Sequence, residues 1–262
     1  MSHEAPFVLR HDRDDGLSTL TLNRPEQFNA LSTGMLAALQ AELDAIAANE
    51  AVRVVVIAGA GRAFCAGHDL KELHANRNQA FLQALFAQCG ELMQTIARMP
   101  QPVIARVQGI ATAAGCQLVG ACDLAVAADV ARFAVSGINI GLFCATPAVS
   151  LSRNLGRKAA LEMLLTGEFI DAMEARTKGL VNQVVPADAL DAEIERLALA
   201  ILEKSAIAVR LGKSMFHRQL EMSLCDAYAY AGEVMACNIL SEDAAEGMDA
   251  FIEKRAPAFH GR

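Results

Sequence analysis

The chain has 262 residues, and 23 lysines and arginines against 30 aspartates and glutamates give it a formal charge of -7. That length suits one domain with an appendage, and a content of 53% hydrophobic and 20% charged residues excludes a largely disordered chain, because apolar surface is there to offset the entropy of ordering. The acidic balance disfavours a nucleic-acid binder that works by neutralising phosphates.

In chain order, Val8 and Leu9, then Leu17 to Leu22, flank the polar HDRDDG and predict a hairpin closed at Gly16. After the loop NRPEQFNALS, Ser32 is placed to cap a helix over residues 33–49, where Met35, Leu36, Leu39, Leu43 and Ile46 form one apolar stripe. RVVVIA (53–58) is a β-branched run suited to a strand buried on both faces. Residues 59–73 read as a glycine-punctuated loop ending in a short helical piece, and residues 79–99 as a long helix stopped by Pro100 and Pro102. Residues 103–107 predict a strand, 109–115 a small-residue loop, 116–120 a helical turn, 124–127 a strand and 133–135 a further one. From Pro147 onward the pattern is helical, ending in a helix over 241–253 that Ser241 can cap. No internal sequence repeat is visible.

Seven cysteines without a CxxC pair disfavour a disulfide scaffold, a zinc ribbon or a thioredoxin-like centre, so reduced, buried thiols are expected. The first fifteen residues carry acids among their bases and no apolar stretch. The longest uncharged stretch, 107–122, is short for a membrane span. The expectation is a soluble, cytoplasmic protein with no membrane or nucleic-acid partner. Gly59-Ala60-Gly61 after a buried strand hints at a dinucleotide fold, but Phe64 stands where its third glycine belongs. No GxSxG elbow, HExxH pair or P-loop is present.

Two loops remain, AFCAGHD (63–69) and GIATAAGC (109–116). Each sets small residues after a strand and before a helical turn, where backbone N–H groups lack intrahelical partners. Two such donors converging on one oxygen make an oxyanion hole. The alternative is that small residues merely allow tight packing.

RVVVIAGAGRAFCAGHDLKEL, PVIARVQGIATAAGCQLVGACDLAVAADVARF, NRPEQFNALS and the ending AFIEKRAPAFHGR together resemble the crotonase superfamily, the enoyl-CoA hydratase/isomerase family, over residues 7–262. The resemblance implies an α/β fold: a crotonase-type spiral of ββα repeats over residues 1–200, then a helical C-terminal region, 201–262, that assembles trimers or hexamers. It implies an acyl-CoA thioester as substrate or ligand, with no metal and no cofactor beyond that coenzyme A. The thioester oxygen is expected between the backbone N–H groups of His68 and Ala114. The backbone around Ala66 and Leu70 is expected at the adenine, Lys71 near the phosphates, and Phe251 and Lys254 on the C-terminal helix against the CoA. Arg24 is a further candidate there, or else a surface salt-bridge partner.

The same resemblance exposes two departures. Family hydratases add water with two glutamates, one as base and one as acid. Gln117 stands at the first position and Gly137 at the second, and neither exchanges a proton near neutral pH. Standard hydration is therefore not expected. The alternatives are an acyl-CoA binder without turnover, a hydratase with a different acid/base pair, or an oligomeric scaffold alone. Among titratable groups, His68 has a suitable unperturbed pKa of about 6.5, unless its side chain points away. Cys116 and Cys144 are expected to be inert, and Asp69 and Glu72 to be structural or solvated.

Overall fold

The structure is a computed structural model and describes residues 5–262. β1 (Val8–Asp12) and β2 (Leu17–Leu22) form the expected antiparallel hairpin, with Val8 opposite Leu22. Gly16 closes it at φ +94°, where an added Cβ would lie 2.8 Å from the Arg53 side chain. α1 (Thr33–Ala47) starts at Ser32, whose hydroxyl accepts the Met35 N–H at 3.2 Å, and buries the five predicted stripe residues. The chain returns as β3 (Val54–Gly59), buried throughout and parallel to β2.

Beyond β3 come β4 (Ala63–Cys65), α2 (Leu70–Ala75), α3 (Gln79–Arg98), β5 (Val103–Val107), β6 (Ile110–Thr112), α4 (Ala114–Ala121), β7 (Leu124–Ala128) and β8 (Arg132–Ala134). A 3-10 turn (Ser136–Ile140) leads to α5 (Ala145–Asn154), α6 (Arg157–Thr166), β9 (Ile170–Asp171), α7 (Ala172–Lys178), β10 (Gln183–Val185) and α8 (Leu190–Leu202). Two sheets result: a six-stranded one in the order β1-β2-β3-β5-β7-β10 and a four-stranded one in the order β4-β6-β8-β9. Apart from β1–β2 and β8–β9, every pairing is parallel. The pairs β3/β4, β5/β6 and β7/β8 each send their first member to the large sheet and their second to the small one. The repetition lies in topology and not in residue identity, so the sequence shows no repeat.

Apolar alternation along the large sheet explains its two covered faces. Val55, Ile57, Val103 and Ala105 join the main core beneath α1 and α3, whereas Val54, Val56, Ile104 and Val126 pack against Leu190, Ile194 and Ala198 of α8. Four strands correct the sequence reading. β4 and β6 lie in segments read as loops, and β9 and β10 interrupt the region read as helical from Pro147 on. Each has two or three residues, too few to display a period.

The C-terminal part holds α9 (Ala206–Gln219), α10 (Leu224–Ile239) and α11 (Glu242–Glu253); Ser241 caps α11 as expected, accepting the Ala244 N–H at 3.2 Å. Five cysteines are buried, but Cys225 and Cys237 on α10 are exposed, which corrects the expectation that all seven are buried. Leu224, Tyr228, Leu240, Phe251 and Ile252 of this region also face outward.

One charged cluster fastens α9 to the core. Lys213 Nζ donates to the carbonyls of Ile96 (2.7 Å) and Gln101 (2.8 Å) and to Asp123 Oδ2 (2.7 Å). Asp123 Oδ2 also accepts the Val103 N–H at 2.7 Å, and Oδ1 meets His217 Nε2 at 3.0 Å. Side-chain exposure is 6% for Lys213 and 13% for Asp123, so removing Lys213 leaves a largely buried carboxylate without its lysine counter-ion. Lys213→Ala is expected to lower unfolding stability by about 3–5 kcal/mol in urea denaturation; a loss below about 1 kcal/mol, the range of exposed pairs, would contradict this reading of the cluster.

Candidate active site

The two candidate loops meet. Cys65 of β4 pairs with Ala111 of β6, and Thr112 Oγ1 donates to the Ala66 carbonyl at 2.9 Å. Gly67 has φ +91°, and a Cβ there would lie 2.9 Å from Ala113 Cβ and 3.1 Å from Ala114 N. At Gly115 a Cβ would come within 2.0 Å of the Cys65 carbonyl oxygen. Such separations exclude any side chain, so both glycines are required for the loops to close on each other. The tight packing expected as the alternative is therefore present.

α4 begins two residues before the predicted turn. Its N-cap, Ala113, has φ 49° and ψ -118°, a non-glycine strain that costs about 1–3 kcal/mol. The Ala113 N–H donates to the Ala134 carbonyl at 2.9 Å and its carbonyl accepts the Gln117 N–H at 3.0 Å, which holds the strained residue in place. Among the described residues, neither the His68 N–H nor the Ala114 N–H donates to a protein acceptor. The site therefore offers two free amides from loops in contact.

The His68 ring is set by its neighbours. Leu31 and His68 form an isolated parallel bridge, Nδ1 lies 3.2 Å from the Leu31 carbonyl, and Phe86 meets the ring edge-to-face at 5.4 Å. A carbonyl partner assigns the proton to Nδ1 and leaves Nε2 its lone pair. Nε2 is buried without a partner, and burial pushes the pKa below the ordinary value. The ring is thus neutral at pH 7.

Gln117 lies on the first turn of α4, 3% exposed, with Oε1 buried and unpartnered. Gly137 lies in the 3-10 turn after β8; a Cβ there would fall 2.6 Å from the Leu142 carbonyl oxygen and 2.8 Å from Cys144 Sγ. The surrounding loop is closed around hydrogen, so no side chain can be added at this position without moving residues 142–144.

The remaining candidates separate clearly. Asp69 caps α2 by accepting the Lys71 (2.8 Å) and Glu72 (3.2 Å) N–H groups, and Glu72 accepts the Thr33 N–H at 2.9 Å, so both carboxylates are structural, as expected. Burial pushes the Cys116 thiol up to about 12 and raises Cys144 as well, which keeps both protonated. Ala66 donates its N–H to the Phe28 carbonyl at 3.0 Å, while the Leu70 and Lys71 side chains are exposed beside it. Phe251 and Lys254 are exposed at the end of α11.

Arg24 departs from the expected surface salt-bridge role. It is 8% exposed, donates to the carbonyls of Ala5 (2.7 Å), Pro6 (3.0 Å) and Asn23 (2.7 Å), and stacks 3.9 Å over the Phe7 ring. Its guanidinium pins the segment before β1 and, among the described residues, forms no surface salt bridge. Asn29 is a residue the sequence reading missed: it accepts the Arg24 N–H and donates to the Ala60, Ala63 and Phe64 carbonyls, tying NRPEQFNALS to β4. Its position inside a loop motif was the only signal. Among the described residues, no group of three potential ligands is placed to hold a metal, and no helix is long and apolar enough to cross a membrane.

The depressed His68 pKa fixes a sign. Between its folded value and the unfolded value of about 6.5 the unfolded chain binds the extra proton, so stability rises with pH through that window and is lost as pH falls through it. Thermal unfolding followed from pH 7 downward should show a shallower loss in His68→Gln than in the wild type; identical slopes would contradict a buried, neutral ring.

The profile of the enoyl-CoA hydratase/isomerase family matches residues 12–262. Enoyl-CoA hydratase domain-containing protein 3 of Xenopus laevis is 47% identical over 99% of this chain and 87% of its own. An enoyl-CoA hydratase crystal structure from Mycobacterium smegmatis shares 57% identity with a TM-score of 0.97, covering 98% of this chain and 100% of that one. The human enoyl-CoA hydratase domain-containing protein 3 structure shares 42% identity with a TM-score of 0.93, covering 97% and 100%. The Xenopus protein and its human counterpart carry the word mitochondrial in their names, which overturns the cytoplasmic expectation. With its mixed α/β architecture and full-length match, the chain belongs to the enoyl-CoA hydratase/isomerase family.

Proposed function

We propose that this protein binds an acyl-CoA thioester, takes its carbonyl oxygen between the His68 and Ala114 N–H groups, and stabilises the enolate form of that thioester. The observation that carries this reading is the close approach of Gly67, the residue before His68, to Ala113 and Ala114, with the His68 and Ala114 N–H groups lacking protein acceptors among the described residues. Deleting one such donor elsewhere costs about 2.7–4 kcal/mol of transition-state stabilisation, so a pair supplies a large share of an enolisation barrier. Because both donors belong to the main chain, the hole is independent of side-chain chemistry at positions 68 and 114.

In this reading Ala66 and Leu70 flank the adenine with main chain, Lys71 approaches the phosphates, and Phe251 and Lys254 reach a CoA as part of an assembly. The alternation of strands between two sheets fits a ββα spiral over residues 1–200. The outward apolar residues of α10 and α11 fit a trimer or hexamer built by residues 201–262. Gln117 and Gly137 leave both hydratase carboxylate positions vacant, so water addition by a glutamate pair is not the activity. An acyl-CoA binder without turnover is the second reading, favoured by the closed loop at Gly137.

Titration of the protein with acetoacetyl-CoA separates these readings. The bound β-ketothioester should show enolate ultraviolet absorption at a pH where the free ester is mainly keto, and crotonyl-CoA should be hydrated near the background rate. Binding without the enolate band supports the second reading, absence of binding contradicts both, and crotonyl-CoA hydration at an ordinary enzymatic rate would mean another acid/base pair exists.

A further inference from the structure

A second cationic site lies at the opposite end of β3 from the loop that leads to His68. Arg53 immediately precedes β3, and Arg210 is on α9. Between them and the C-terminal tail is a cavity of about 240 Å³ lined by Glu50, Arg53, Ala206, Arg210, His260 and Gly261. A smaller one of about 110 Å³ shares the two arginines and reaches Gln101.

The guanidinium groups are only partly engaged by the protein. Arg53 Nη2 donates to the Lys204 carbonyl at 2.7 Å; Arg210 makes long contacts, 3.3 Å to the Gly261 carbonyl and 3.4 Å to Glu50. Arg53 is half-buried, and desolvation together with the Arg210 cation lowers its pKa against the opposing pull of the Asp243 carboxylate. The two arginines thus face one cavity and repel each other.

The nearby acids do not fill it. Glu50, with its side chain 89% exposed, extends into water. Asp243 has both carboxylate oxygens taken, by the Ser205 hydroxyl (2.6 Å) and the N–H groups of His260 (2.7 Å) and Gly261 (2.9 Å). Ala206, the first residue of α9, lines the cavity, and no acid occupies that helix's first turn, so the partial positive end of the helix dipole adds to the two cations.

We propose that this cavity binds a phosphoryl group, as free phosphate or as the head of a phosphate monoester, between the forks of Arg53 and Arg210. Planar guanidinium groups match a tetrahedral oxyanion through paired N–H donors. Such a ligand relieves the repulsion between the arginines and joins the tail at Gly261 to the start of β3. The site is separate from the acyl-CoA cleft and does not depend on that assignment.

Calorimetry at fixed ionic strength on the full chain tests this, first with inorganic phosphate and then with glycerol 3-phosphate. One saturable site is expected, with affinity reduced about tenfold or more in Arg210→Gln, as for loss of one charge-assisted fork, less reduced in Arg210→Lys, and unchanged in Lys71→Ala. Tighter binding of glycerol 3-phosphate identifies a monoester site, and equal binding identifies a site for the phosphoryl group alone. Melting curves show whether each variant is folded. No saturable heat with either probe, binding undiminished in folded Arg210→Gln, or binding lost in Lys71→Ala would overturn the proposal.

Discussion

The approach of Gly115 to the Cys65 carbonyl is the constraint on which the site depends. A hydrogen atom is all that fits there, and the contact is answered by Gly67 against Ala113 and Ala114. Together they bring the loop after β4 onto the start of α4 from segments nearly fifty residues apart. In the proposed reading, this contact is what lets the His68 and Ala114 amides share one oxygen. The strain at Ala113 is affordable because Ala134 and Gln117 hold both ends of its peptide group and the sheets behind are closely packed.

The fold serves this contact by repetition. Each strand pair places one member in the six-stranded sheet, for stability, and the next in the four-stranded sheet, near the site. Of the helices that follow, α2 is capped by Asp69, whereas α4 starts beside the small sheet with its Ala114 N–H unpaired. The Lys213–Asp123 cluster anchors the residue two places beyond the end of α4, so the helix that donates the Ala114 amide is fixed at both ends. The loop at Gly137 has closed around its lack of a side chain, so that glycine is part of the packing.

Much of this was legible in the sequence where a long period or a cap recorded it. α1, with its Ser32 cap and five-residue stripe, and β3, with its β-branched run, read directly. β4, β6, β9 and β10 did not, because two or three residues in a strand carry no measurable alternation and are made by pairing with neighbours distant in the chain. His68 and Ala114 were located through the family resemblance, and their lack of partners required coordinates. The salt-bridge expectation for Arg24 failed because its acceptors, main-chain carbonyls near the N-terminus, leave no mark in the sequence. Cys225 and Cys237 were misjudged because the outward face of α10 is as apolar as a core helix.

The proposed arrangement of two amides about one thioester oxygen is tested most directly by the vibrational frequency of that carbonyl. In a difference infrared or Raman spectrum, a bound butyryl-CoA labelled with ¹³C at its thioester carbonyl should show the stretch displaced to lower frequency than in water, because two aligned donors polarise the bond more than solvent does. A bound carbonyl at or above its aqueous frequency would mean that the His68 and Ala114 amides do not share it.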